Sequence, residues 1–244
     1  PSISKTVADT FSINPSTIHS YINELVKDNV IVKVKRGQYE LVNKEYSYLL
    51  KRENGDLDDD TYAFDICLKE HIEGFENNVQ DIWSYTFSEM INNVMDHSLA
   101  DSVKITISQN FLATCVMIED NGIGIFQKIK DYFKLSSIED AICELFKGKL
   151  TTDTKNHSGE GIFFSSKLMD DFLIISSSKI FTTNKYDEGK MLGLVLENQK
   201  GTCVFMELSN FSHKTAKEIF DAYSNVDGGF VKTKIPLKNI FDTS

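Results

Sequence analysis

A polar stripe inside an apolar helix constrains this chain more than any other feature. Glu89, Asn93 and His97 stand four residues apart, so on a helix they share one face. Trp83, Tyr85, Phe87, Met90, Ile91, Val94 and Met95 surround them, which marks the helix as largely buried. Carboxylate and amide groups in such a setting need partners, because an unpaired buried polar group costs about 1–3 kcal/mol. Two later segments belong with this stripe. Asp120-Asn121-Gly122-Ile123-Gly124 follows the strand-like run 116–119, and Gly159-Glu160-Gly161 opens a helical run that extends to Asp170.

Each of these segments has its own chemistry. A carboxylate at a strand end beside a glycine turn can accept a hydrogen from a ligand's amino group, and Gly122 and Gly124 let the backbone turn and a ligand come close. Ile123 and Ile125 do not suit a plain exposed turn. Free N–H groups at a helix start bind anions, so Gly159 and Gly161 are candidates for a phosphate cradle. Between them, Lys147-Gly148-Lys149-Leu150-Thr151 invites a P-loop reading, but the required Gly-x-x-x-x-Gly-Lys-Ser/Thr spacing is absent. Asp58, Asp59 and Asp60 lack ligand spacing and read as a solvated turn rather than a metal site.

In this order and spacing the segments resemble the GHKL ATPase superfamily, which includes histidine-kinase catalytic domains, gyrase B and the anti-sigma-factor kinases. The likeness covers roughly residues 62–208. It implies an α/β chain: an α+β two-layer sandwich of the Bergerat type, with helices on one face of a mostly antiparallel sheet. Strands are expected at 103–108, 114–119, 172–176, 191–197 and 202–208. By the same resemblance, Asn93 binds the Mg²⁺ that bridges the ATP phosphates. Glu89 orients or deprotonates an attacking water, Asp120 reads adenine, and Thr202 joins the network around the base. His97 lines the pocket wall, and Lys149 reaches the phosphates from a lid over 125–158. A narrower likeness, carried by 92–98, 157–164 and 230–236, is to bacterial GHKL proteins that continue into a STAS-like domain.

Residues 1–44 have a different character. An amphipathic segment from Ile3 to Phe11, a turn at Asn14-Pro15-Ser16 in which Ser16 is the expected cap, and an apolar face of Ile18, Tyr21, Ile22, Leu25 and Val26 predict two helices. The runs 30–34 and 39–42 flank Lys35-Arg36-Gly37-Gln38 and predict a hairpin. This order resembles a winged helix-turn-helix. The resemblance implies DNA contact through Thr17, His19, Ser20 and Asn23, with Lys35 and Arg36 on phosphate, and winged helices serve equally as protein-binding modules. The net charge of −10 argues against nucleic-acid binding by the chain as a whole, although residues 1–50 carry one more cation than anion. The expected divisions are 1–44, a linker at 45–60, the nucleotide domain at 61–210, and an extension at 211–244 that begins a further domain. Scattered cysteines and no apolar run of membrane length point to reduced thiols and a cytoplasmic protein.

The function implied is an ATP-gated regulator of transcription or signalling. The alternatives are a slow ATPase, an anti-sigma-like Ser/Thr protein kinase with a STAS-like or sigma-factor-like partner, and a scaffold that binds no nucleotide. A conventional histidine kinase is not expected, since no long helix pair bears a substrate histidine.

Overall fold

Strict alternation builds the sheet. In Ala113–Asp120 the even-numbered residues Thr114, Val116, Ile118 and Asp120 are buried, while the odd-numbered ones are half-buried. That is the period-two signature of a strand packed on one side. The computed structural model describes residues 3–146, 160–182 and 200–223. Within them the elements run α1 (Ile3–Phe11), α2 (Pro15–Lys27), β1 (Ile31–Lys35), β2 (Gln38–Leu41), β3 (Lys44–Lys51), α3 (Asp60–Cys67), α4 (Lys69–Ile72) and α5 (Asn77–Asn93). They continue as β4 (Ser102–Gln109), β5 (Ala113–Asp120), α6 (Ile125–Phe133), α7 (Ile138–Phe146), α8 (Gly161–Leu168), β6 (Asp171–Ser176), β7 (Lys179–Thr182), β8 (Thr202–Ser209) and α9 (Ala216–Tyr223).

Strands β3-β4-β5-β8-β6-β7 form one six-stranded sheet whose described pairings are all antiparallel. Its helix-facing side meets Trp83, Phe87 and Ile91 of α5 in a core that includes Val103, Ile105, Val116, Ile118, Phe172, Ile174, Val204 and Met206. The expected two-layer α/β arrangement is therefore present. A smaller cluster of Leu173, Ile175 and Cys203 forms on the opposite face. Among the described residues no helix is long and apolar enough to cross a membrane. All four cysteines are free, and Cys143 is exposed.

Several expectations are corrected. Residues 44–51, read as the end of one unit and the start of a linker, are a sheet strand. All eight residues of β3 pair with β4, from Lys44 opposite Gln109 to Lys51 opposite Ser102. The reason is its edge position: with one face of an edge strand in solvent, charged residues are tolerated and the alternation is blurred. In the stretch expected to form a lid, a further helix, α6, precedes α7, and β7 follows β6 as its hairpin partner. The strand expected at 191–197 lies outside the described residues.

The N-terminal unit has the expected order of two helices and a hairpin, with its own small core of Ala8, Ile18 and Ile22. Its cap differs from expectation. Asn14, not Ser16, is the N-cap of α2: its side chain accepts from the Ser16 N–H at 2.9 Å, and Pro15 occupies the first turn, where a missing N–H costs nothing. The apolar face is also narrower in use than in sequence, since Tyr21, Leu25 and Val26 are exposed.

Candidate functional site

The α5 helix does not run on unchanged to Asp96. It ends at Asn93 and passes into a π-helical turn over Val94–Ser98, which Leu99 closes in the left-handed region at φ 55°. Such turns are rare and cluster at functional sites. The turn is held by side chains: the Ser98 hydroxyl donates to Val94 O at 2.7 Å and accepts from the Ala100 N–H at 2.9 Å. Ser98 O then accepts the Ile123 N–H at 2.9 Å. A Cβ at Gly122 would overlap that same Ser98 carbonyl, so glycine is what lets the Asp120–Gly124 turn close on the end of α5. The first two segments thus meet through backbone.

Asp120 ends β5 and is only 7% exposed. Its Oδ1 accepts the Gly122 N–H at 2.7 Å. Burial pushes its carboxyl above the ordinary value of 3.8, against the pull of hydrogen bonds from the Gly122 backbone and from the backbone and hydroxyl of Thr202. Thr202, the first residue of β8, also accepts the Ile125 N–H on its Oγ1 at 3.0 Å. Asp120 and Thr202 are therefore one hydrogen-bonded unit, and a carboxylate has acceptor capacity beyond these bonds. Gly124 caps α6 with φ 83°.

The third segment meets the first. Glu89 is half-buried on α5, and its carboxylate fills the space where a Cβ of Gly161 would lie, at the start of α8. Tyr85, one turn earlier on α5, hydrogen-bonds Glu89. Burial first, then the charges of Glu89 and Glu160, hold the Tyr85 phenol above its usual range, so it stays a proton donor. The Tyr85 ring packs edge-on against Phe220 of α9 at 5.2 Å between centroids.

Of the residues singled out from sequence, Glu89, Asn93, Asp120, Gly122, Gly161 and Thr202 lie on these converging segments. His97 is half-buried in the π-turn, and its carbonyl accepts from Lys128 Nζ at 2.9 Å. Lys149 and Gly159 lie outside the described residues. His19, Ser20, Asn23, Lys35 and Arg36 are exposed on the N-terminal unit, and Thr17 is half-buried there.

Sequence reasoning missed Gly201, Ser176, Tyr85 and Arg52, whose guanidinium donates to Ala100 O and Met95 O at the π-turn. Gly201 sits at φ 78° against the Asp120 backbone, and its carbonyl accepts from the buried Ser176 hydroxyl at 2.9 Å. A glycine directly before an apolar strand was the available signal for it. Nothing in the sequence pattern marked the other three.

Among the described residues no group of three or more His, Cys, Asp or Glu is placed to hold a metal ion. A family model described as "Histidine kinase-, DNA gyrase B-, and HSP90-like ATPase" matches residues 78–210, more than half of the chain. No curated protein matches it.

Proposed function

The chain belongs to the histidine kinase-, DNA gyrase B- and HSP90-like ATPase family, and from that premise we propose that it is a Mg-ATP-binding switch coupled to its N-terminal unit. Membership supports ATP binding. The observation that carries the reading is the convergence of four separated segments through close contacts: the Ser98 carbonyl on Gly122, the Glu89 carboxylate on Gly161, and the Asp120 carboxylate on Thr202.

In this reading Asp120 accepts the adenine 6-amino hydrogen, Thr202 fixes the carboxylate, and the start of α8 at Gly161 receives phosphate. Asn93 would hold Mg²⁺ through its amide oxygen, and the cation would supply neutralisation of phosphate charge. The N-terminal unit acts as a winged-helix-like module. Thr17, His19, Ser20 and Asn23 contact DNA bases or a protein partner, and Lys35 and Arg36 contact backbone phosphate or acidic side chains. A regulatory role in transcription or signalling follows from pairing such a module with a nucleotide pocket.

Calorimetric titration of ATP, ADP and GTP with Mg²⁺ tests the pocket. Saturable, adenine-selective binding is expected, and Asp120→Asn should weaken it. A hydrogen bond to a charged group contributes about 1.5–3 kcal/mol, or roughly 10–150-fold in Kd. Wild-type affinity in that variant would refute the assignment of Asp120. For the N-terminal unit, titration of DNA fragments at two salt concentrations separates the two partner classes, because phosphate contacts weaken steeply with salt.

A second reading, slow ATP hydrolysis or phosphoryl transfer, is favoured by the placement of Glu89. A carboxylate held by Tyr85 beside the α8 start is suited to orient and deprotonate a nucleophile. Glu89→Gln should then retain nucleotide and lose turnover by about 10²–10⁴-fold.

A further inference from the structure

β3 runs the length of the sheet edge from the N-terminal unit to the π-turn. Only Val42 and Asn43 separate it from the hairpin at one end. At the other end Arg52 follows directly, and the Arg52 N–H extends the ladder by bonding Asp101 O at 2.9 Å. Eight strand residues at about 3.4 Å each make a bar of roughly 27 Å. Its far end lies where β4 begins and β5 finishes, since Val103 pairs with Leu50 on one side and with Asp120 on the other.

The Arg52 side chain turns into the end of α5. Its Nε donates to Ala100 O at 3.0 Å and its Nη2 to Met95 O at 3.1 Å. These two carbonyls bracket the turn that carries Ser98 and Leu99. Helix ends leave carbonyls without intrahelical donors, and a π-turn ending in a left-handed leucine leaves them in irregular positions. A guanidinium presents several N–H groups in a planar fork and stays charged, so one side chain satisfies both carbonyls at once.

We propose that Arg52 is the positioning residue that couples the N-terminal unit to the nucleotide pocket, by clamping the turn between Asn93 and the Gly122 contact onto the end of β3. The clamp rests on the switch reading above and gives it a physical route. Nucleotide seated against Asn93 and Asp120 fixes the Ser98–Gly122 junction. Arg52 passes that order to β3, and β3 passes it through two residues to the hairpin carrying Lys35 and Arg36. A partner that orders the hairpin tightens nucleotide binding by the same factor, because coupling between sites is reciprocal.

The test uses the full chain with Arg52→Gln and Arg52→Lys. Amide hydrogen exchange is followed without ligand over residues 94–101, and with Mg-ATP over residues 31–41; ATP affinity is measured in parallel. Arg52→Gln, which loses the charged fork, should speed exchange over 94–101 by about tenfold or more and weaken ATP by a similar factor, the scale of one lost charge-assisted bond. It should also remove the ATP-induced slowing at the hairpin, while the melting temperature falls by no more than about 3–6 °C, the shift that a tenfold loss implies for a chain of this size. Arg52→Lys keeps the charge without the fork and should recover only part of each effect. Unchanged exchange over 94–101 in Arg52→Gln overturns the clamp. An ATP-induced slowing at the hairpin that persists in that variant overturns the coupling. If the wild-type chain binds no ATP, the switch reading falls and the coupling falls with it, while the ligand-free exchange still decides whether Arg52 holds the turn.

Discussion

Replacing Gly201 by alanine should damage both stability and nucleotide binding. Its φ of 78° lies in the left-handed region, where a side chain costs roughly 1–2 kcal/mol. The added Cβ would overlap the backbone oxygen of Asp120, and strand backbone cannot rotate aside as a long side chain can. Relief requires β5 and β8 to part beside Asp120 and Thr202, at the expense of about one hydrogen bond, or about 1 kcal/mol. Together these give about 2–3 kcal/mol. At roughly 2–4 °C per kcal/mol for a chain of this size, melting should fall by about 4–12 °C. The same shift moves the Asp120 carboxylate, so ATP affinity should drop by about tenfold or more. Gly74 is the internal control, because a Cβ there meets nothing within 4 Å and its φ is not in the left-handed region. Scanning calorimetry and ATP titration on Gly201→Ala and Gly74→Ala decide the matter. If Gly201→Ala melts with wild-type protein and binds ATP equally well, the reasoning about this junction is wrong.

Gly161→Ala should behave differently, since its Cβ would meet the movable end of Glu89 rather than backbone. Melting should stay within about 1 kcal/mol-equivalent of wild type, the scale of one displaced rotamer, while any turnover assay loses activity; a fall in melting temperature as large as that of Gly201→Ala would contradict this. Tyr85→Phe keeps the ring against Phe220 and removes the hydroxyl that bonds Glu89. It should lower stability by about 0.5–1.5 kcal/mol in urea titration and reduce turnover at unchanged ATP affinity. For Asp120 the folded pKa is raised by burial, so the folded chain takes up that proton before the unfolded chain does. Its contribution to ligand-free stability is complete below the unfolded value and is lost as pH rises through the folded one. Melting of wild type relative to Asp120→Asn should therefore improve on acidification. ATP affinity should move the opposite way, falling as pH drops through the raised value, and parallel pH curves for the two proteins would refute the assignment.

How much of this was legible in sequence depends on how far each signal reaches along the chain. The stripe of Glu89 and Asn93, the Asp120–Gly124 turn and Gly161 were readable because each is a local pattern on one element. The six-stranded sheet was readable where alternation was clean, as in β5. β3 was missed because an edge strand with Lys44, Glu45 and Lys51 obeys a weaker pattern, and its assignment depends on a partner strand 58 residues later. Tyr85 looked like ordinary core, since only its contact with Glu89 gives the hydroxyl a role. Arg52 fell inside the expected linker and was not singled out, since its two acceptors lie 43 and 48 residues away.

The residues missed share one property: each bonds or packs against the segments that carry the expected ligand contacts. Asp120 can read a base only if its carboxylate is aimed, and that aim comes from Thr202 and the Gly201 approach on β8. The π-turn can meet Gly122 only if its irregular carbonyls are satisfied, and Arg52 on β3 satisfies two of them. Both supports come from β3 and β8, which flank the β4–β5 pair in the sheet order. A nucleotide that pulled the α5 end and the Asp120 turn together would therefore load β3 and β8 at once. Of these only β3 continues directly into the N-terminal unit, so the strand mistaken for a linker is the element best placed to carry the response.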